Sequence, residues 1–499
     1  MTDARQQDLL NTASRLRELG RVPEAIAAYR ALLAAYPDLP DSWYNLGYLC
    51  RQAGLASDAM AAYDEALKRG IQGAEEVYLN RAALYSDAMA RPADAKADLE
   101  KAIALNPAYL PAYLNLGNLH EDLGDRAGAK AAYLRAIELK PNNAIALSRL
   151  AGLGRATSPD DPMILRIKAA LGSGMLLPAD KALLLFALGR LQDSCGAFAA
   201  AAESFAAANA GARIAASGNV APYSGPEELV RADRCAAAFS TPNARVGGLL
   251  APSPQPVFIV GMFRSGSTLL EQILGSHSQI SAGGELEMVT RIARGLGWDP
   301  AAIAAAPAAN IDEYAQAYLQ RIRTMFPGAQ VVTDKRPDNF WFVGLIKRMF
   351  PGARILNTVR HPLDTLVSVW TQYLSSSLPY GYSPEDIASH LYAERRMMAH
   401  WERLYPGDIL SVQYEQLVKN PEPEIRRVLS FLNLPFEPAC LEFHHSTRAV
   451  RTASVWQVRE PLHDRSIGRW KNYEQYFRSL PPHPALSALL AIESAGKSN

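Results

Sequence analysis

The sequence predicts a multidomain protein in which an all-α solenoid precedes a P-loop-like α/β domain with a central parallel sheet. Three observations support this fold class. A helical motif recurs in the first third of the chain, short β-rich runs alternate with helical patterns in the second half, and a glycine-bounded loop joins the first such run to a helix at residues 256–274. A fixed repeat period predicts stacked helical units, and strand–helix alternation predicts a parallel sheet.

The N-terminal repeats align at four segments, with spacings of 34, 36 and 34 residues: YRALLAAYP (29–37), YDEALKRGI (63–71), LEKAIALNP (99–107) and YLRAIELKP (133–141). A partner helix precedes each segment, with Gly47 and Gly117 where two helices must approach closely. The pattern resembles the tetratricopeptide repeat, with about four units over residues 5–144. Residues 145–215 are predicted to hold atypical helices and a fifth repeat-like unit, with Gly189 and Phe205 in phase.

The chain changes character after the repeats. Residues 216–253 are rich in Ala, Gly, Ser and Pro and predict a connector with one short helix. Residues 254–480 form the predicted α/β domain, with strands at VFIV (257–260), QVVT (330–333), RILNTV (354–359) and ILSVQY (409–414). Ligands of such sheets bind at the carboxyl ends of the strands, where the unusual residues of this domain fall.

Composition limits the possible functions. Lys and Arg number 51 and Asp and Glu number 50, so no global charge favours nucleic acid or an anionic membrane surface. The four cysteines are widely separated, without the spacing of a zinc site or a disulfide framework. The first residues lack the pattern of a signal peptide, and no apolar run is long enough to span a membrane. We therefore expect a cytoplasmic protein.

The loop in PVFIVGMFRSGSTLLEQIL departs from a nucleotide-triphosphatase P-loop at one position. Gly261, Gly266 and Thr268 match the P-loop pattern, but Ser267 occupies the place of the lysine that reaches the β- and γ-phosphates. A cation stands instead at Arg264, inside the loop. This arrangement favours a smaller anionic group near the 5′ end of a nucleotide, and it speaks against a kinase or an ATPase.

This loop resembles the 5′-phosphosulfate loop of sulfotransferases that use 3′-phosphoadenosine 5′-phosphosulfate, most closely the protein-tyrosine type. A second signature of that family is an arginine after a strand with a serine eight residues later, and NTVRHPLDTLVS offers Arg360 and Ser368. The resemblance covers roughly residues 254–475. It implies that this donor is the co-substrate, that Arg360 and Ser368 bind its 3′-phosphate, and that no metal is needed.

The resemblance also implies the catalytic groups. Glu285 falls where the tyrosine enzymes have their catalytic glutamate, so it is the preferred base. His277 is the alternative, and Glu287, a nearby carboxylate, is a lesser candidate. Lys335, in VVTDKRPDN, aligns with a lysine near the bridging oxygen, and Arg264 would stabilise the transferring group. Glu287 stands where the tyrosine enzymes carry an arginine, which puts an acidic acceptor peptide in doubt. Further nucleotide contacts are expected from Ser265, Gly266, Ser267, Thr268, Tyr414, Ser454 and a basic group at Arg469 or Lys471.

The sequence thus favours a sulfotransferase whose acceptor is a protein tyrosine and whose repeats dock a protein or peptide. Nucleic acid is not expected as a partner. A carbohydrate, a lipid or a small molecule as acceptor stays open, because the same glutamate would serve each of them. A third possibility is a scaffold in which the nucleotide-binding fold is passive.

Overall fold

The computed structural model describes residues 4–89, 91–174, 176–218, 221–242, 252–374, 378–445 and 456–496. The chain divides into two compact units, Met1–Gly154 and Arg155–Asn499. The described residues include no helix that is long and apolar enough to cross a lipid bilayer. The predicted fold class is confirmed: the first unit is helical, and the second contains a parallel sheet.

The first unit consists of antiparallel helices that pack in consecutive pairs. The described helices are α1 (Ala4–Glu18), α2 (Val22–Ala35), α3 (Pro40–Gln52), α4 (Ala56–Lys68), α5 (Ala74–Asp87), α6 (Pro92–Leu105), α7 (Leu110–Asp122), α8 (Arg126–Leu139) and α9 (Ala144–Gly152). Each segment that defined the repeat lies mainly on the second helix of a pair. Alanines of these second helices, such as Ala25, Ala59, Ala95 and Ala129, are fully buried.

Glycine on the first helix of a pair admits an aromatic ring from the second helix. A Cβ atom on Gly47 would lie 2.7 Å from the Tyr63 ring, and Gly117 meets Tyr133 in the same way. Both rings are fully buried. These glycines therefore allow the two helices to approach closely, as predicted. The ring of the second helix occupies the space that a side chain at the glycine would need.

The second unit is mainly helical around its sheet. Its described helices are α10 (Pro162–Gly172), α11 (Pro178–Ser194), α12 (Phe198–Ala216), α13 (Gly225–Ala238), α14 (Ser267–Gly275), α15 (Met288–Gly295), α16 (Pro300–Ala305), α17 (Ala308–Met325), α18 (Val343–Met349), α19 (Pro362–Trp370), α20 (Pro384–Leu404), α21 (Tyr414–Lys419), α22 (Pro421–Phe431), α23 (Glu474–Ser479) and α24 (Pro484–Gly496). Short 3₁₀ helices include Pro337–Phe342 and Arg469–Tyr473.

The described residues form a five-stranded parallel sheet in the order β2-β3-β1-β4-β5. The strands are β1 (Gln255–Gly261), β2 (Ile280–Ala282), β3 (Val331–Lys335), β4 (Arg354–Val359) and β5 (Ile409–Gln413). The four predicted strands are confirmed, and β2 was missed. Because β1 pairs with β3 and β4, the loop after β1 lies at the centre of the carboxyl edge.

The repeat-like pair α11 and α12 belongs to the second unit. Gly189 on α11 admits the ring of Phe205 on α12, with the same spacing along the chain as in the N-terminal pairs. Phe205 also packs on Trp370 of α19, with ring centroids 5.6 Å apart. Asn209 of α12 donates to the Trp370 carbonyl at 2.9 Å. A helical pair of repeat type thus packs directly against the α/β core.

Candidate functional site

The loop between β1 and α14 is shaped by two glycines with positive φ. Gly261 has φ 129° and Gly266 has φ 103°, both in the region that favours glycine. A Cβ atom on Gly266 would lie 2.7 Å from the ring of Tyr414, which begins α21 beyond β5. The backbone of the loop and the Tyr414 ring therefore meet at a point where no larger residue fits.

A cavity of about 490 Å³ opens at this edge of the sheet. It is lined by residues from the β1–α14 loop, from the ends of β3 and β4, and from residues 458–469. Most of the residues singled out from the sequence lie in this lining: Arg264, Gly266, Ser267, Thr268, Glu285, Arg360, Ser368, Tyr414 and Arg469. Segments far apart in the chain thus converge on one cavity.

Arg264, Arg360 and Ser368 form a connected group in the cavity wall. The Arg264 Nε donates to the Ser368 Oγ at 3.1 Å, and the Arg360 Nη1 donates to the Arg264 carbonyl oxygen at 3.1 Å. The Arg360 guanidinium also lies over the Tyr414 ring, 4.8 Å from its centroid. Burial, together with the positive charges of Arg360 and Arg469, lowers the pKa of Arg264 to about 10, so Arg264 is charged at neutral pH.

This part of the cavity fits an anionic group. The Nε of Arg360 is buried without a hydrogen-bond partner among the described residues, although its Nη2 donates to the Ser466 carbonyl at 2.6 Å. Burial lowers the pKa of Arg360, because the charged form is partly removed from water. Arginines with like charges close together are stabilised when an anion lies between them. A phosphate or sulfate group would satisfy this requirement.

Glu285 and Lys335 form an ion pair on the β3 side of the cavity. The Lys335 Nζ lies 2.5 Å from the Glu285 Oε1. The side chain of Lys335 is 1% exposed, whereas that of Glu285 is 39% exposed and reaches the cavity. The Lys335 backbone N–H donates to the Gly284 carbonyl at 2.9 Å, which holds the segment with Glu285 against the end of β3. An ion pair therefore lies beside the loop between β1 and α14.

Two buried carboxyl groups that the sequence reasoning missed lie near this pair and interact electrostatically with Lys335. The Glu271 Oε1 accepts from the Gly284 N–H at 2.9 Å and from the Thr333 hydroxyl at 2.8 Å, and burial raises the pKa of Glu271. Burial also raises the pKa of Asp334 to about 7. The signal for Glu271 was a single acid within the apolar stretch STLLEQILG of α14.

His277, the alternative base, is held in the turn after α14. Its Nε2 lies 3.0 Å from the Pro435 carbonyl oxygen, and its Nδ1 accepts from the Gln279 N–H at 3.1 Å. The ring is buried, and it does not belong to the lining of the cavity. Both ring nitrogens therefore serve the turn.

Besides His277, three predicted site residues within the described residues are not in the cavity lining. The Ser265 hydroxyl is buried, donates to the Met262 carbonyl at 2.6 Å and lies 2.6 Å from the Thr358 Oγ1. Lys335 contributes through its contact with Glu285, and Lys471 lines a different cleft beside Glu415. Ser454 lies outside the described residues. Of the two basic groups considered near the end of the domain, it is Arg469 that lines the main cavity.

The cavity also contains residues that were not singled out from the sequence as site residues. Phe263, Tyr373, Leu374 and Leu378 provide an apolar wall, and Arg336 and Asp338 provide charge. These residues lie in turns and helix ends where their exposure could not be deduced from a pattern. Glu287, which the sequence analysis had already considered, lines the same cavity. Among the described residues, a group with metal-ligand spacing occurs at Glu442, His444 and His445, and none of the three lines this cavity.

Comparison with known proteins identifies both parts of the chain. Residues 256–438 match the family model described as "Sulfotransferase family". Residues 10–74, 75–109 and 110–143 match models of the tetratricopeptide repeat. The chain joins tetratricopeptide repeats to a sulfotransferase-family domain. The family predicted from the loop motif and the repeat period is thereby confirmed.

The individual relatives match only parts of this chain. An uncharacterized protein of Aquifex aeolicus (strain VF5) is 35% identical over 46% of this chain and 32% of its own length. A putative protein-tyrosine sulfotransferase of Caenorhabditis briggsae is 25% identical over 44% of this chain and 82% of its own length. The chain thus spans about a third of the length of the Aquifex relative.

Among solved structures, the sulfotransferase domain of the Synechococcus PCC 7002 olefin synthase is 21% identical, with a TM-score of 0.36. The match covers 49% of this chain and 96% of that one.

Proposed function

We propose that this sulfotransferase-family protein moves a sulfuryl group from 3′-phosphoadenosine 5′-phosphosulfate to an acceptor hydroxyl. The observation that carries the proposal is the Glu285–Lys335 pair beside a phosphate loop whose usual lysine is replaced by Ser267. The loop lacks the P-loop lysine and carries Arg264 instead. Such a loop suits a single phosphate that bears a sulfate. The acid and the cation beside it suit transfer to a hydroxyl.

Two groups of residues would bind the two ends of the donor. The backbone N–H groups of the loop and the hydroxyls of Ser267 and Thr268 would hold the 5′-phosphosulfate at the start of α14. Arg360 and Ser368 would bind the 3′-phosphate, for which the Arg360 Nε, which has no hydrogen-bond partner in the described part of the chain, offers a donor. Tyr414 and Arg469 would complete the nucleotide side of the cavity.

The chemical step requires a proton acceptor and stabilisation of the leaving group. The acceptor oxygen attacks sulfur as the bond between sulfur and the bridging oxygen breaks, and adenosine 3′,5′-bisphosphate leaves. Glu285 is the more exposed member of the ion pair and would take the proton of the acceptor hydroxyl. Lys335 would offset the charge that develops on the bridging oxygen, and Arg264 that on the transferring oxygens.

A protein tyrosine is the acceptor that we propose. Phe263, Tyr373 and Leu378 give the cavity an apolar wall that suits a phenol ring. Proteins named as protein-tyrosine sulfotransferases are among the relatives of this domain, at 25% identity. Glu287 at the cavity lining disfavours a peptide rich in acidic residues. The repeats would dock the protein that carries the tyrosine, since repeat arrays present extended binding surfaces.

The test is transfer of label from sulfur-labelled donor in an extract of the source cells. The chain, the Glu285→Gln variant and a Glu313→Gln control are compared, because Glu313 is exposed on α17. We expect label in tyrosine residues of protein with the chain and the control, and none with Glu285→Gln. Donor binding by the Glu285→Gln variant should persist, because the carboxylate would act on the acceptor.

Each other outcome points to a different conclusion. Label in a polysaccharide, lipid or small-molecule fraction would keep the chemistry and replace the acceptor. Loss of donor binding together with turnover in Glu285→Gln would contradict the role of the base. No label in any fraction, with no binding of the donor, would favour a scaffold built on a passive nucleotide-binding fold.

A further inference from the structure

The segment at residues 466–470 crosses the nucleotide side of the cavity and is fastened through its backbone. Arg360 donates to the Ser466 carbonyl at 2.6 Å. The carboxylate of Asp364, in the first turn of α19, accepts from the N–H groups of Gly468 at 2.7 Å and Trp470 at 2.9 Å. These bonds fix the backbone on both sides of Arg469, but they leave the direction of its long side chain undetermined.

A carboxylate from the repeat-like pair determines that direction. Asp193, in the last turn of α11, lies with its Oδ2 3.0 Å from the Arg469 Nη2. Its Oδ1 accepts from the hydroxyl of Tyr473. Tyr473 is buried against Phe198 and Phe205 of α12. Asp193 is therefore itself fixed, with both carboxylate oxygens engaged.

The charges around Arg469 explain why such a fixed partner is needed. Arg264, Arg360 and Arg469 line one cavity, and the proximity of Arg360 and Arg469 contributes to the lowered pKa of Arg264. Like charges that line one cavity repel each other. The Arg469 side chain is 26% exposed, so a rotation into water would relieve the repulsion. The bond to Asp193 opposes that rotation, while the Arg469 side chain still lines the cavity.

We propose that Asp193 is a positioning residue that acts through Arg469 to hold this guanidinium against the 3′-phosphate of the donor. The inference rests on the proposed function. It assigns to the α11–α12 pair a part in donor recognition, and not only in packing. An aspartate of a helical repeat thereby completes a binding site of the neighbouring α/β fold.

The test is a double-mutant cycle on nucleotide binding. Calorimetry measures adenosine 3′,5′-bisphosphate and adenosine 5′-monophosphate against the chain, Asp193→Asn, Arg469→Gln and the double variant. We expect Asp193→Asn to weaken the bisphosphate about tenfold, as for one charge-assisted hydrogen bond. The monophosphate should change by less than about twofold. The double variant should bind no more weakly than Arg469→Gln, because both substitutions remove the same contact.

A matched control variant and the comparison of the two nucleotides separate positioning from folding. Asp180→Asn changes an aspartate in the first turn of the same helix and should leave the affinity for both nucleotides unchanged. If Asp193→Asn only loosened the fold, both nucleotides would be weakened alike, and the double variant would be weaker than either single variant.

Three results would overturn the inference. Equal loss of both nucleotides, additive effects in the double variant, or tighter binding of the bisphosphate by Asp193→Asn would each exclude a positioning role. If the unsubstituted chain failed to bind the bisphosphate at all, the proposed function would fall, and this inference with it. Binding by the unsubstituted chain with no effect of Asp193→Asn would remove the inference alone.

Discussion

Replacing Gly266 by alanine tests whether the loop and Tyr414 form one nucleotide site. The backbone at Gly266 has φ 103°, which costs a residue with a Cβ atom about 1–2 kcal/mol. The new Cβ atom would also lie 2.7 Å from the Tyr414 ring, closer than real carbon–carbon contacts. Because Arg360 stacks on that ring, a displaced Tyr414 also displaces the arginine expected to bind the 3′-phosphate. We expect loss of affinity for adenosine 3′,5′-bisphosphate by at least about tenfold.

Gly297 provides the matched control for this substitution. Its φ is 89°, and a Cβ atom there would meet nothing within 4 Å. Gly297→Ala should therefore lower the free energy of unfolding by the same 1–2 kcal/mol or so without affecting nucleotide binding. Urea denaturation measures the stability of both variants, and calorimetry measures binding. Equal affinities in the two variants would refute the reasoning, because backbone strain alone would then account for Gly266→Ala.

Three further substitutions test other parts of the molecule. Lys335→Met should reduce turnover by at least about a hundredfold in a labelled-donor assay, with nucleotide binding largely retained, since the cation would act in the transition state. The raised pKa of Asp334 means that the folded state holds a proton between pH 3.8 and about 7 that the unfolded state has lost, so stability falls as pH rises through this range. Asp334→Asn should reduce that fall in denaturation curves, and an unchanged slope would contradict the assignment. In the repeats, Gly47→Ala should lower the stability of the first unit by about 1–3 kcal/mol, because its Cβ atom would meet Tyr63, and thermal melting of the helical signal would detect this.

Local patterns were sufficient to predict much of the fold. The four predicted strands are apolar, rich in β-branched residues and each followed by a turn, and β1 and β4 are buried along nearly their whole length. The role of the repeat glycines was predictable from the repeat period. In each such unit, glycine recurs opposite an aromatic residue because the two helices pack closely there. The strand β2 has three residues, Ile280–Ala282, which is too short for alternation to be visible.

Parts of the site could not be predicted because the decisive contacts join distant parts of the chain. Arg264 and Ser368 belong to the two sequence motifs, and the Arg264 Nε lies 3.1 Å from the Ser368 Oγ, as expected if both motifs contribute to one site. Asp193 lies 276 positions from Arg469, in a helix whose pattern indicates core packing, so no local feature suggests their contact. For Ser265 the motif was misleading in the other direction. Its position in the motif predicts a contact with the nucleotide, whereas its hydroxyl group is hydrogen-bonded to the Met262 carbonyl and to the Thr358 hydroxyl.

The position of the cation connects the loop to the proposed chemistry. A P-loop lysine projects from the loop itself and lies over two successive phosphates. Here Ser267 stands at that place, while a lysine is supplied from the end of β3, where it faces a carboxylate at 2.5 Å. Lys335 lies on the neighbouring strand β3. It can therefore stabilise the bridging oxygen as that oxygen leaves, provided that the reacting group projects from the loop toward β3, on the same side as Glu285. The order β2-β3-β1-β4 would then separate the two tasks, with Glu285 and Lys335 after β2 and at the end of β3, and selection of the nucleotide by Arg360 after β4.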